Sequence, residues 1–112
     1  SYYGAEKVVP GYNVMGVAKA ALEAASRYLA AELGPRNIRV NTISAGPCRT
    51  LSTLAIDRIE EMFDWVARKA PLQRNIDPDE VGKAAVYLVS DLSSGVTGEN
   101  LHVDAGYHVV GL

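Results

Sequence analysis

Tyr12 and Lys19 stand seven positions apart at the head of a stretch, Asn13 to Leu33, that is rich in Ala, Leu and Glu and free of proline. In a helix, seven residues at about 100° each turn through about 700°, within about 20° of two full turns. The two side chains then share a face, about 10.5 Å apart along the axis, with Met15 between them. A lysine ammonium on that face raises the positive potential and favours the ionised form of a nearby phenol, which otherwise titrates at about 10. Such a pair can hydrogen-bond a carbonyl oxygen and supply a proton as charge builds there. The same spacing also suits a packed tyrosine and a solvated lysine on an amphipathic helix.

The second candidate is Ser44-Ala45-Gly46-Pro47-Cys48-Arg49-Thr50. It follows a strand pattern, so it belongs at the carboxyl end of a strand, where open α/β sheets bind ligands. Gly46 permits close backbone approach, Pro47 stiffens the turn, and Thr50 offers a hydroxyl to a phosphate or amide. An ordinary strand-to-helix turn fits equally. Tyr2 and Tyr3, just before Gly4, either line a pocket or pack. Arg49 beside Cys48 favours a thiolate, but no His or Asn in context completes a nucleophilic site. His102 and His108 match no zinc spacing with Cys48, so no metal is expected. Asp57, Glu60, Glu61 and Asp64 read as a solvated helix face, and no G-x-G-x-x-G fingerprint is present.

The elements that must hold these residues alternate. A helix runs from Tyr12 or Asn13 to Leu33, with an apolar stripe of Ala18, Leu22, Ala25 and Leu29, and stops at Gly34-Pro35. A strand covers Ile38 to Ser44. A helical region follows, broken and without a good cap between Thr50 and Ile56, and regular from Ile56 to Lys69. Asp77-Pro78-Asp79-Glu80 starts another helix with a capping box, running to about Ser90. Asp91 to Gly95 is a turn, Glu99 to Asp104 a short strand, and Tyr107 to Leu112 an apolar tail. Strands separated by helices imply a parallel sheet in an α/β fold. Two strands are too few for one, so the pattern fits the later part of a larger doubly wound domain.

Composition narrows the partners. The 112 residues carry 11 Lys and Arg against 13 Asp and Glu, a net charge of -2, so no excess of positive charge exists to neutralise nucleic-acid phosphates. With 48% hydrophobic residues the chain has a core to bury. No apolar run reaches the roughly 18 residues needed to span a bilayer. Neither nucleic acid nor a membrane is expected as a partner. A single cysteine, Cys48, precludes an internal disulfide and is compatible with a reducing compartment such as the cytoplasm.

Together these residues carry a resemblance. Tyr12-Asn13-Val14-Met15-Gly16-Val17-Ala18-Lys19-Ala20 resembles the active-site helix of enoyl-acyl-carrier-protein reductases, divergent members of the short-chain dehydrogenase/reductase superfamily. Most of that superfamily places three residues between its Tyr and Lys; the enoyl reductases place six, as here. Arg39 to Pro47, continued by Arg49-Thr50-Leu51, is similar to the family's following strand and cofactor loop, Ser1 to Glu6 to the segment with its second active-site tyrosine, and Ser90-Asp91-Leu92-Ser93 with Gly98 to Gly106 to its C-terminal strand region. The resemblance implies the C-terminal part of a Rossmann-like doubly wound parallel-sheet domain, helix-rich over residues 1–112. It implies reduction of the carbon–carbon double bond of a trans-2-enoyl thioester on acyl-carrier protein, with hydride from NADH, so NAD is the expected cofactor.

In that implied scheme Tyr12 hydrogen-bonds the thioester carbonyl, Lys19 holds the nicotinamide ribose, and Tyr2 assists with substrate or proton delivery. Gly46, Pro47, Cys48, Arg49, Thr50, Leu51 and Ser52 run along the cofactor. Met15, Ile56 and Ile59, with Tyr2 and Tyr12, line the acyl pocket. Cys48 stands where the family has an aliphatic residue. The family's domain is more than twice this long and its glycine-rich half is not in this sequence, so these residues alone are expected to be inactive and prone to associate; the complete protein is expected to be a homotetramer. A keto-reducing member of the same superfamily and a non-catalytic interaction module are the competing readings.

Overall fold

The computed structural model describes residues 1–110. Helix α1 spans Asn13–Leu33, strand β1 Thr42–Ala45, the single turn α2 Leu51–Leu54, α3 Ile59–Lys69, α4 Pro78–Val89 and β2 Asn100–Val103. Short 3-10 turns occupy Tyr3–Ala5, Gly34–Arg36, Asp91–Ser93 and Tyr107–Val109. The two strands pair in parallel, Thr42 opposite Asn100 through Ala45 opposite Val103, with α2, α3 and α4 in the crossover.

The far edge of β1 is also engaged. The Ser1 amino group donates to Ile43 O at 2.6 Å, and Ala45 N donates to Ser1 O at 3.3 Å. That alternation is the parallel-ladder pattern, with Ser1 opposite Ser44. The turn that carries Tyr2 and Tyr3 therefore leaves directly from the sheet.

Several boundaries differ from the sequence reading. β1 begins at Thr42 rather than Ile38, because its partner begins at Asn100; upstream, Val40 bonds the Thr97 hydroxyl and the Gly98 amide outside the ladder. β2 ends before Asp104, whose carboxylate turns to accept from the Gly106 and His108 amides. Gly34 does not stop α1 in a left-handed conformation. It stays right-handed, the chain tightens through Pro35, which has no N–H to continue the ladder, and Asn37 takes the left-handed turn at φ 58°.

The region after β1 does have a cap. The Thr50 hydroxyl accepts from the Thr53 amide and the Thr53 hydroxyl accepts from the Thr50 amide, a reciprocal box built from two threonines in place of the usual Glu or Gln. The break before α3 comes from Arg58, left-handed at φ 58°, so α3 starts at Ile59 rather than Ile56. Asp77 and Glu80 form the capping box at α4, with Pro78 in its first turn.

The apolar stripe of α1 is on the outside. Leu22 and Leu29 are exposed, as are Ala18 and Ala25, and the buried positions are Glu23, Ser26 and Ala30. The face turned to the sheet is polar because Glu23 answers Ser1 and Asn100 there. The apolar core lies elsewhere: Val66, Ala70, Ile76 and Ala105 are buried together, with Ala45, Cys48, Met62, Val81, Val103 and Tyr107 packed against them. Phe63 and Ile59 extend the buried face of α3.

Candidate active site

Tyr12 is the residue that begins α1. It lies just outside the helical conformation, at φ -108° and ψ 27°, and its carbonyl accepts from the Gly16 amide at 2.7 Å. Its ring meets Tyr2 edge to face, with centroids 5.1 Å apart and planes at 75°. They stand ten positions apart in sequence. The 3-10 turn Tyr3–Ala5 reverses the chain and the segment to Pro10 loops out, bringing the rings together.

Tyr2 is a strongly neutral phenol. Burial pushes its pKa up to about 12, and the nearby phenols of Tyr107, Tyr12 and Tyr3 add to the shift. Its hydroxyl points at Met62 Sδ, 3.7 Å away. It can donate a proton in a hydrogen bond and resists ionisation. Lys19 is half-buried two turns into α1.

A polar network holds that segment down. The Ser1 hydroxyl donates to buried Glu23, and Asn100 Nδ2 reaches both Glu23 at 3.2 Å and Glu6 at 3.3 Å. His102 Nε2 meets Glu6 at 2.8 Å. The His102 ring stacks on His108 at 3.9 Å, and His108 Nδ1 meets the Asp104 carboxylate at 2.9 Å. The turn bearing Tyr2 is thus tied to β1 at one end and β2 at the other.

Two open grooves flank the tyrosines. One, of about 480 Å³, is walled by Tyr2, Tyr3, Met62, Trp65 and Tyr107. Trp65 Nε1–H donates to Tyr107 Oη at 3.0 Å, closing its rim. The other, of about 450 Å³, is lined by Gly4, Glu6, Tyr12, Asn13, Gly16 and Ala20. The edge-to-face pair stands between them.

The loop after β1 divides its tasks. The Gly46 amide continues the ladder to Val103 O at 2.9 Å, and Pro47 is buried. The Cys48 thiol packs against the core, its pKa raised by burial and then by Asp77, so Arg49 does not make it a thiolate. The Arg49 guanidinium instead forms a two-pronged pair with Glu60, at 2.7 and 2.8 Å, and lies over the Phe63 ring at 4.6 Å. Thr50 spends its hydroxyl on the cap. Leu51 is 90% exposed and Ser52 is also exposed.

Of the residues the resemblance assigns to the acyl pocket, Tyr2 and Tyr12 come together. Met15 is 49% exposed, Ile56 45% exposed, and Ile59 is buried in α3; none of the three lines the groove beside Tyr2. Met62, Trp65 and Tyr107 do, and sequence reasoning passed over them. Met62 had a local signal, one helical turn after Ile59. Tyr107, just past β2, had none.

The parallel strands, the ligand-side loop after β1 and the tyrosine–lysine helix define part of a Rossmann-like α/β domain. The chain belongs to the enoyl-(acyl carrier protein) reductase family, whose model matches residues 1–108. It is 62% identical, over 112 residues, to the NADH enoyl-[acyl-carrier-protein] reductase 1 of Rhizobium meliloti strain 1021, covering 100% of this chain and 41% of that protein. Among solved structures it is similar to the Bacillus cereus enoyl-acyl carrier protein reductase with NADP+ and indole naphthyridinone, at TM-score 0.97 and 55% identity, covering 100% of this chain and 44% of that one. It is also similar to the Anaplasma phagocytophilum enzyme in complex with NAD, at TM-score 0.91 and 58% identity, covering 100% and 40%. The chain therefore spans about two fifths of the length of these relatives.

Proposed function

We propose that this chain is the C-terminal portion of a single reductase domain, and that the complete protein reduces the carbon–carbon double bond of trans-2-enoyl thioesters on acyl-carrier protein in fatty-acid synthesis. The observation that carries this reading is the Tyr2–Tyr12 contact at the head of the helix that also bears Lys19. Family membership supports the substrate class. The names of the relatives support a nicotinamide cofactor, and we take NADH, as in the Rhizobium protein.

The residues fit such a cofactor. The loop Gly46 to Ser52 sits beyond the carboxyl ends of parallel strands, with Leu51 and Ser52 open to a ligand, and Lys19 is half-buried on α1. Lys19 would hold the ribose hydroxyls and the loop would run along the nicotinamide and pyrophosphate. NADH, when bound, supplies hydride to the β-carbon of the substrate. The enolate left by hydride addition would carry its negative charge on the thioester oxygen until a proton from solvent reaches the α-carbon. The Tyr12 phenol donates a hydrogen bond to that oxygen, and the Lys19 charge on the same helix supports it. Tyr2, held neutral by burial, lines the acyl side and donates without ionising. Met15 on α1 and Ile56 before α3, both exposed, remain the further candidates for acyl contact, while Ile59 is turned into the buried face of α3.

A keto-reducing superfamily member is the less favoured reading, because six residues lie between Tyr12 and Lys19 and the family model is that of the enoyl reductases. The complete protein is further proposed to be cytoplasmic and homotetrameric. The test is NADH oxidation by the full-length protein with crotonyl and with acetoacetyl thioesters. Turnover of crotonyl alone supports the proposal; turnover of acetoacetyl alone overturns it.

A further inference from the structure

The contact between Tyr2 and Tyr12 passes through a place with no room for a side chain. A β-carbon on Gly4 would lie 2.5 Å from Tyr12 Cδ1 and 2.9 Å from Tyr12 Cε1, with Tyr2 Cδ1 at 3.5 Å. A β-carbon on Gly16 would lie 2.9 Å from the Gly4 carbonyl oxygen. Non-bonded carbons pack at about 3.5–4.0 Å, so neither position admits even a methyl group without movement. The left-handed glycines among the described residues are Gly11, Gly98 and Gly106. At Gly4 and Gly16 it is proximity, not backbone conformation, that demands glycine.

The turn around Gly4 cannot retreat. Before it, Ser1 is bonded to Ile43 and Ala45 of β1. After it, Glu6 is held by His102 at 2.8 Å and Asn100 at 3.3 Å. A methyl group at Gly4 therefore pushes the Tyr12 ring, and its hydroxyl moves with it. A methyl group at Gly16 pushes the Gly4 carbonyl and so the turn that carries Tyr2.

We propose that Gly4 is a positioning residue for the Tyr12 hydroxyl, and that Gly16 plays the same part for the turn bearing Tyr2. Gly4 acts by letting the Tyr12 ring lie against the turn Tyr3–Ala5, and Gly16 by letting the backbone of that turn lie against α1. The activity arm of the test rests on the reductase reading; the geometric arm does not.

The test uses the full-length protein. Gly4→Ala should lower kcat for the enoyl thioester about ten- to hundred-fold, the scale of a misplacement of about 1 Å, while KM for NADH changes less than about two-fold. Placed on Tyr12→Phe, Gly4→Ala should cost less than about two-fold more, because no hydroxyl remains to misplace. The near-ultraviolet dichroism of the tyrosine pair, read as the difference from Tyr2→Phe, should weaken in Gly4→Ala and in Gly16→Ala. Wild-type kcat in Gly4→Ala, or a loss that multiplies fully onto Tyr12→Phe, overturns the proposal. Should Gly4→Ala fail to fold, Gly16→Ala is read instead, and unchanged kcat with unchanged dichroism there overturns it. A wild-type protein with no enoyl reduction sinks the proposed function, and the dichroism alone then decides the role of the glycines.

Discussion

The hydroxyl of Tyr2 faces the sulfur of Met62 at 3.7 Å, across a groove floor built by α3. This sheltered setting, with three further phenols nearby, holds the Tyr2 pKa at about 12 against an ordinary 10.0. A folded value above the unfolded one means that the neutral phenol stabilises the fold fully below pH 10.0, and that this contribution is lost as the pH rises through about 12. Tyr2→Phe, which cannot ionise, should show a shallower fall of Tm across that alkaline window than the parent. Parallel slopes in the two proteins would contradict the burial of this phenol.

Arg49 ties the loop after β1 to α3 through Glu60 and the face of Phe63. The ion pair is open to water, so its strength depends on salt. Glu60→Gln should loosen residues 49–58 and raise trypsin cleavage at Arg58 a few-fold at low ionic strength, with the difference shrinking in high salt. Identical digestion rates in low salt would show that stacking on Phe63 suffices.

Glu80 closes the capping box on the Asp77 amide at 3.0 Å and pairs with Arg74 at 2.6 Å. The Arg74 bond, and then the Asp77 amide, depress its pKa from 4.5 to about 2. The stabilisation is therefore complete above pH 4.5 and is lost as the pH falls toward about 2. Glu80→Gln should lower Tm at neutral pH and converge with the parent in acid. A Tm gap that stays constant down to pH 2 would exclude the charge as its origin.

Ser93, 1% exposed, collects the end of α4. Its hydroxyl donates to the Leu88 carbonyl at 2.9 Å and accepts from Arg39 Nη1 at 2.9 Å, while Arg39 also reaches the carbonyls of Ser90 and Val96. Ser93→Ala strips partners from buried groups and should cost about 1–3 kcal/mol, read by urea denaturation of the complete protein. A cost below about 0.5 kcal/mol would mean that Arg39 re-pairs without the hydroxyl.

Much of this arrangement was legible along the chain. The proline-free run from Asn13 to Leu33 is α1, and Asp77-Pro78-Asp79-Glu80 opens α4 with its box intact. The two parallel strands lie where they are expected, β1 at the end of the β-branched run from Ile38 and β2 around Leu101 and Val103. The motif shared by Tyr12 and Lys19 pointed to the family to which the chain belongs. Other features were not legible. The apolar stripe of Leu22 and Leu29 is exposed in this chain, which spans about two fifths of its relatives, and the polar residue Glu23 is buried at 8% exposure. Periodicity reports that a helix has an apolar side, not which side meets the sheet. The threonine pair at Thr50 and Thr53 escaped notice because the usual box has an acid or amide at its third position.

Forces acting within a few residues set the helix propensity, the caps, the strand composition, and a phenol at the cap of the helix that carries an ammonium two turns on. Which groups meet is fixed by packing between distant segments. Tyr2 finds Met62 60 positions away, and Glu6 finds His102 96 positions away. Such contacts exist because the chain closes long loops and packs to near-solid density. The fit at Gly4, where a ring meets the turn, and at Gly16, where the backbone of the turn meets the helix, is settled at fractions of an ångström that no local pattern encodes.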